Sequence, residues 1–140
     1  MNAIQIALTH KNQLASWQSE VEIASFNTIS RSPYEKDYDA IVDVWVGDNR
    51  ARFALEYERT PKAQTEYDRI VSLLERERNL DRVLYLAGTR HIRSLLKQRL
   101  WRIRQRVLIG LASDLPKTEP ADLEVVDAQT MQVHRLVDIP

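Results

Sequence analysis

A mixed sheet of strands covered by helices is the fold this sequence predicts, on three observations. Residues 38–58 hold two β-branched, aromatic-rich segments on either side of a Gly-Asp-Asn turn. Apolar residues recur at helical spacing after Thr60 and again after Thr89. Short apolar runs at residues 82–87 and 107–111 follow those helical stretches, and such alternation builds layered α/β domains.

Each element has its own reason. Residues 2–14 predict a helix, with Ile4, Leu8 and Leu14 at helical spacing and no Gly or Pro. Residues 17–25 alternate, with Trp17, Ser19, Val21 and Ile23 on one side and Gln18, Glu20 and Glu22 on the other, and predict a strand. Residues 27–37 contain Ser30, Ser32 and Pro33 and predict a loop. Residues 38–46 predict a second strand. Gly47, Asp48 and Asn49 tolerate positive φ and predict a hairpin turn, and residues 51–58 return as a third strand. Thr60 is the expected cap of the next helix, with Pro61 at its first position, where a missing N–H costs nothing. Tyr67, Ile70, Val71 and Leu74 form its apolar stripe. Residues 82–87 predict a strand, Gly88-Thr89 opens a long helix to about Arg104, and residues 107–111 predict another strand. Pro116 and Pro120 mark residues 115–121 as a loop, after which residues 123–127 and 131–137 predict a terminal hairpin. The order is α-β-β-β-α-β-α-β with a hairpin extension. Residues 1–112 form the expected core, and residues 113–140 an extension packed on the same domain.

Composition bounds what this fold can do. A chain of 140 residues, 44% hydrophobic and 29% charged, suits one globular domain with a sizeable core. It has no cysteine, so disulfide and thiolate chemistry are excluded. The first residues show no basic stretch leading into an apolar run, and no run suits a membrane span, so a cytoplasmic protein without membrane partners is expected. Twenty basic and twenty acidic residues balance, so any affinity for a polyanion must come from a local patch. The charge is uneven. Residues 89–112 carry seven basic side chains and no acid, whereas residues 113–140 carry six acids against Lys117 and Arg135.

The acidic edge of the hairpin is the first candidate site. Asp39 lies eight residues before Gly47, and Glu56 seven after Asn49, so antiparallel pairing sets them side by side. Alternation puts Glu56 and Glu58 on one strand face, about 7 Å apart. Three converging carboxylates repel unless neutralised. A divalent cation, Mg²⁺ or Mn²⁺, would neutralise them, activate water and stabilise charge on a phosphate. Lys62 follows within a helical turn and would hold a phosphate or orient water. Asp43 and Glu20 are further ligand candidates. The ordinary alternative is the solvated polar side of an amphipathic strand.

Tyr38-Asp39 and, seventeen residues on, Glu56-Tyr57-Glu58 resemble the motif of the PD-(D/E)XK nuclease superfamily. More narrowly, residues 2–8 (NAIQIAL), 17–20 (WQSE), Asp39-Ala40 and residues 53–60 (FALEYERT) resemble the C-terminal domain of the replication-relaxation family of plasmid and integrative-element proteins. The resemblance covers residues 2–89. It implies a restriction-endonuclease-like mixed sheet with an αβββαβ core flanked by helices. It also implies DNA as partner, and Asp39, Glu56 and Glu58 as metal ligands and catalytic groups together with Lys62. Glu58 stands where the pattern has lysine, and Tyr38 where it has proline. Gln64-x-x-Tyr67 is one residue short of a Gln-x-x-x-Tyr element found in exonuclease relatives. The implied function is a DNA-processing or DNA-binding domain in plasmid or mobile-element replication or mobilisation, hydrolysing phosphodiesters if active. The alternative is a non-catalytic module of that fold binding DNA or a protein partner, including a second copy of itself.

The second candidate site is the basic helix. Arg90, Arg93, Lys97 and Arg104 fall on one side of a helical wheel with Trp101 beside them, while Ile92, Leu95, Leu96, Leu100 and Ile103 fall on the other. The stripe suits a phosphate backbone and Trp101 suits a base. The ordinary alternative is a solvated face over a partly buried Trp101. Arg99, Arg102 and Arg106 are expected to pair with C-terminal acids. His10, His91 and His134 lack metal-ligand spacing.

Overall fold

The computed structural model describes residues 5, 14–29, 34–46, 48–103, 106–117 and 122–136. Seven strands form one mixed sheet whose spatial order is the chain order: β1 (Leu14–Ser19), β2 (Ala40–Val46), β3 (Asn49–Glu58), β4 (Arg82–Ala87), β5 (Val107–Leu111), β6 (Glu124–Asp127) and β7 (Val133–Arg135). β3, β4 and β5 run parallel, and every other neighbouring pair is antiparallel. Helices α1 (Glu20–Ile29), α2 (Gln64–Arg76) and α3 (Arg90–Leu100) follow β1, β3 and β4. The expected mixed sheet with helices is therefore present, and β6 and β7 extend the same sheet.

Side-chain alternation divides the core in two. On one face Ile41, Ala54, Val83, Tyr85 and Ile109 meet the stripes of all three helices: Ile23, then Tyr67, Ile70 and Leu74, then Ile92, Leu96 and Leu100. Val71 and Leu95 pack at the margin. The other face gathers Val42, Phe53, Leu55, Leu84, Leu86 and Leu108, joined by Leu123 and Val125 from the C-terminal segment. The continuous apolar runs of β4 and β5 reflect burial on both faces, as parallel strands require.

Several boundaries differ from expectation. The strand expected at residues 17–25 is β1 only to Ser19, and the chain then turns helical. Ser19 Oγ accepts from Glu22 N at 3.3 Å and donates to Glu22 Oε1 at 3.1 Å, so Ser-Glu-Val-Glu forms a reciprocal helix start that overrides the alternating pattern. Residues 27–29 of the expected loop are therefore helical. Of the expected first helix, Gln5 is helical and Leu14 opens β1, while the rest lies outside the described residues. α2 starts at Gln64 behind an extended Ala63 with no side-chain cap, so Thr60 does not cap it and Pro61 precedes it. The helix expected to open at Gly88-Thr89 is α3, capped by Thr89, whose hydroxyl accepts from Ile92 N at 3.2 Å. α3 ends at Leu100, followed by a turn through Trp101. Residues 112–117 form a 3₁₀ turn.

Candidate functional site

The hairpin register builds the site. Ala40 pairs with Leu55, so Asp39 reaches the end of β3 and its Oδ2 accepts from Tyr57 N at 2.7 Å. Glu56 and Glu58 project onto the helix-covered face near the carboxyl ends of β3 and β4, where Glu56 is in register with Tyr85 and Glu58 with Ala87. Parallel α/β sheets place their sites at such strand ends.

Each glutamate has an ammonium. Lys36 Nζ lies 2.5 Å from Glu56 Oε1, with both side chains largely covered. Lys62 Nζ donates to Glu58 Oε1, and Glu58 is buried. Burial pushes the Glu56 carboxyl up from 4.5 to about 6; the Lys36 charge opposes that rise, Asp39 adds to it and Lys62 opposes it. Tyr67 holds the approach to α2, its hydroxyl accepting from Lys62 N at 3.2 Å. Tyr85 is buried, which raises its hydroxyl well above the ordinary value, with Glu56 and Glu58 adding to the rise.

Asp39, Glu56, Glu58 and Lys62 are thus brought to one sheet edge. The carboxylates do not converge as a metal-binding trio: among the described residues no three His, Asp or Glu side chains form such a group. Each of the two glutamates is bonded to a lysine instead, Glu56 to Lys36 and Glu58 to Lys62. The donor set still fits a hard cation in one respect. Glu58 Oε2 is buried without a hydrogen-bond partner among the described residues, a costly state that a cation would relieve.

Asp43 and Glu20 are removed from the ligand candidates. Asp43 makes a two-pronged pair with Arg52, at 2.8 and 3.0 Å, and accepts from Ser16 Oγ at 3.0 Å. These bonds hold its carboxyl below the usual range, Arg52 contributing most. Glu20 opens α1 and is exposed.

Lys36 and Glu77 escaped sequence reasoning. Glu77 is 2% exposed and pins the loop that carries Lys36. Its Oε2 accepts from Glu35 N and from the Tyr38 hydroxyl, both at 2.9 Å, while its Oε1 accepts from Arg78 N and Asn79 N. No local pattern announces this contact, because Glu35 and Glu77 are 42 residues apart.

The basic helix begins beside this edge. Gly88 N donates to Glu58 O at 2.9 Å, and a Cβ on Gly88 would stand 3.3 Å from that oxygen, so glycine permits the close approach. Arg90 is exposed, Arg93 and Lys97 are half-buried and Trp101 is 48% exposed. Arg104 lies outside the described residues. Arg106 approaches Asp127 at 3.7 Å, as expected for C-terminal pairing. Arg99 instead donates to Gln64 Oε1 at 2.8 Å, and the Arg102 guanidinium stacks 4.8 Å from the Trp101 ring centre.

No known protein family, no curated protein and no solved structure matches the chain. No helix among the described residues is long and apolar enough to cross a membrane.

Proposed function

We propose that the chain is a nuclease-like domain acting on DNA, with the edge formed by Asp39, Glu56, Glu58 and Lys62 as its hydrolytic centre. The observation that carries this reading is the gathering of three carboxylates and two ammoniums at the ends of two parallel strands. Asp39, Glu56 and Glu58 would hold Mg²⁺ or Mn²⁺, whose chemistry is to lower the pKa of water and offset charge on phosphate. A cation held here would favour the ionised form of Glu56, against the upward push of burial. The water oxygen would bond to phosphorus as the bond to the leaving sugar oxygen breaks, with the proton of the water passing to solvent and the departing oxygen taking one from solvent. Lys62, half-buried beside Glu58, offsets charge on the non-bridging oxygens. The test is cleavage of plasmid DNA with Mn²⁺ or Mg²⁺. Wild type should cut, and Glu56→Ala should lose at least about a hundredfold in rate. Cleavage that survives this substitution rejects the assignment.

The second reading is a non-catalytic module of plasmid or mobile-element maintenance that binds DNA, a protein or a second copy of itself. It is favoured by the pairing of Glu56 and Glu58 with lysines, which neutralises two of the three carboxylates without a metal. It predicts salt-sensitive DNA binding that needs no divalent ion and weakens in Arg93→Ala/Lys97→Ala. Unchanged affinity in that variant rejects the basic helix as the DNA contact.

A further inference from the structure

A groove of about 510 Å³ runs between α3 and the turn joining β6 to β7, lined by Ser94, Lys97, Gln98, Trp101 and Met131. Two large apolar side chains stand at it in solvent, Trp101 at 48% exposure and Met131 at 49%. Trp101 keeps this exposure with the Arg102 guanidinium 4.8 Å from its ring centre, and leaving the rest uncovered loses the gain that burial would bring.

The backbone under Met131 holds a conformation with its own cost. Met131 has φ 61°, the one positive φ of a non-glycine among the described residues. The turn is tightly built: Met131 N donates to Asp127 O at 2.8 Å, Asp127 N donates to Gln132 O at 2.9 Å, and Asp127 Oδ1 accepts from Gln129 N and Thr130 N. Glycine or asparagine would satisfy this backbone with less strain. A long thioether in that place puts a soft, polarisable contact opposite an aromatic ring.

The charged residue in the lining is Lys97, while the acid of the opposing turn, Asp127, is buried, with Oδ1 held by Gln129 N and Thr130 N and Oδ2 3.7 Å from Arg106. Residues 89–112 contain seven basic residues and no acid. Arg90, Arg93 and Lys97 lead along α3 toward Trp101 over about 10 Å of axis, at 1.5 Å per residue. Arg93 Nε is buried and has no hydrogen-bond partner among the described residues. An aromatic face, a thioether, amide and hydroxyl groups in the lining, and a row of cations answer the parts of an unpaired nucleotide: a planar base, polar base edges and a phosphate chain. A duplex keeps its base faces stacked away from Trp101, and a peptide of aspartate and glutamate alone offers no aromatic plane to stack.

We propose that this groove is a binding site for single-stranded DNA, in which one unpaired base stacks on Trp101 against Met131 while the flanking phosphates follow Lys97, Arg93 and Arg90. The choice of DNA over RNA rests on the function proposed above, whereas the stacking site stands on the groove itself. It gives the domain a hold on a displaced or frayed strand separate from the carboxylate edge.

The test is fluorescence anisotropy of a labelled oligothymidylate at low salt without divalent ions. Wild type should bind it more tightly than a duplex of equal length. Trp101→Ala should weaken binding by about tenfold or more, Met131→Gly severalfold, and Lys97→Ala should both weaken it and flatten its salt dependence. Trp45→Ala, which removes the exposed tryptophan of the β2–β3 hairpin, should leave it unchanged. Thermal melts confirm that each variant is folded. Wild-type affinity in Trp101→Ala, equal affinity for duplex, equal affinity for a polyglutamate probe, or no binding by wild type each overturn the site. Tighter binding of oligouridylate overturns DNA as its occupant. Glu56→Gln separates the two proposals: it should abolish cleavage and leave this affinity intact, so either can fail alone.

Discussion

Glu56 couples the candidate site to stability through its proton. Its folded-state pKa of about 6 exceeds the ordinary 4.5, so the folded protein binds the proton more tightly than the unfolded chain does. This contribution is fully present below about 4.5 and is lost as pH rises through about 6. A shift of this size corresponds to about 2 kcal/mol. Glu56→Gln keeps an acceptor for Lys36 and removes the titration. Its melting temperature relative to wild type should therefore rise as pH goes from below 4.5 to above 6, and parallel curves for the two proteins would contradict the assignment. The Tyr38 hydroxyl offers a second test, since it donates to a buried carboxylate, Glu77, at 2.9 Å. Tyr38→Phe should cost about 2 kcal/mol in denaturant unfolding; a change near zero would mean that Glu77 is satisfied without it. These cases also mark what the residues alone disclose. Asp39, Glu56 and Glu58 were legible as one edge because a two-residue hairpin connection fixes the register between them. The lysine partner of Glu56 was not, because Lys36 sits on a loop held by Glu77, far away in sequence.

Helix starts explain most of what was misread among the elements. Residues 17–25 alternate as a strand would, yet Ser19 and Glu22 satisfy each other in a geometry available only to a helix start. Local hydrogen bonding won over periodicity, and Ile23 of α1 still reaches the core. Ser19→Ala should cost about 1 kcal/mol, and amide exchange should quicken in the first turn of α1 while α2 and α3 stay protected. Unchanged exchange there would show that packing, not the cap, holds the helix. The converse error occurred at Thr60-Pro61, where good capping residues lie on an extended segment. The chain spends residues 59–63 leaving β3, with Lys62 turned back to Glu58, before Gln64 can begin a helix over the sheet.

At the scale of the molecule, the mixed sheet was legible because hairpin and crossover patterns differ: close strands with a Gly-Asp turn pair antiparallel, and strands separated by a helix pair parallel. The C-terminal hairpin was legible as strands but not as core. Leu123 is 1% exposed and packs with Val125 on the face that also holds Phe53 and Leu84. Leu123→Ala should lower stability by about 2–5 kcal/mol in one cooperative transition. Separate early melting of the last strands would mean that they form an independent unit. The edges are guarded: β7 has three residues, and β1 carries an irregularity between Leu14 and Ser16 that spoils a flat edge.

The spatial order of the strands has a consequence for birth on the ribosome. Synthesis proceeds from the amino end, and every strand here lies beside its immediate predecessor. Each strand after β1 therefore finds a neighbour already made, and the nascent sheet grows at one edge, its most recent addition, while β1 stays at the other. After β1, no strand has to wait for a first partner still to be translated, which limits the interval in which its apolar faces are available to other nascent chains.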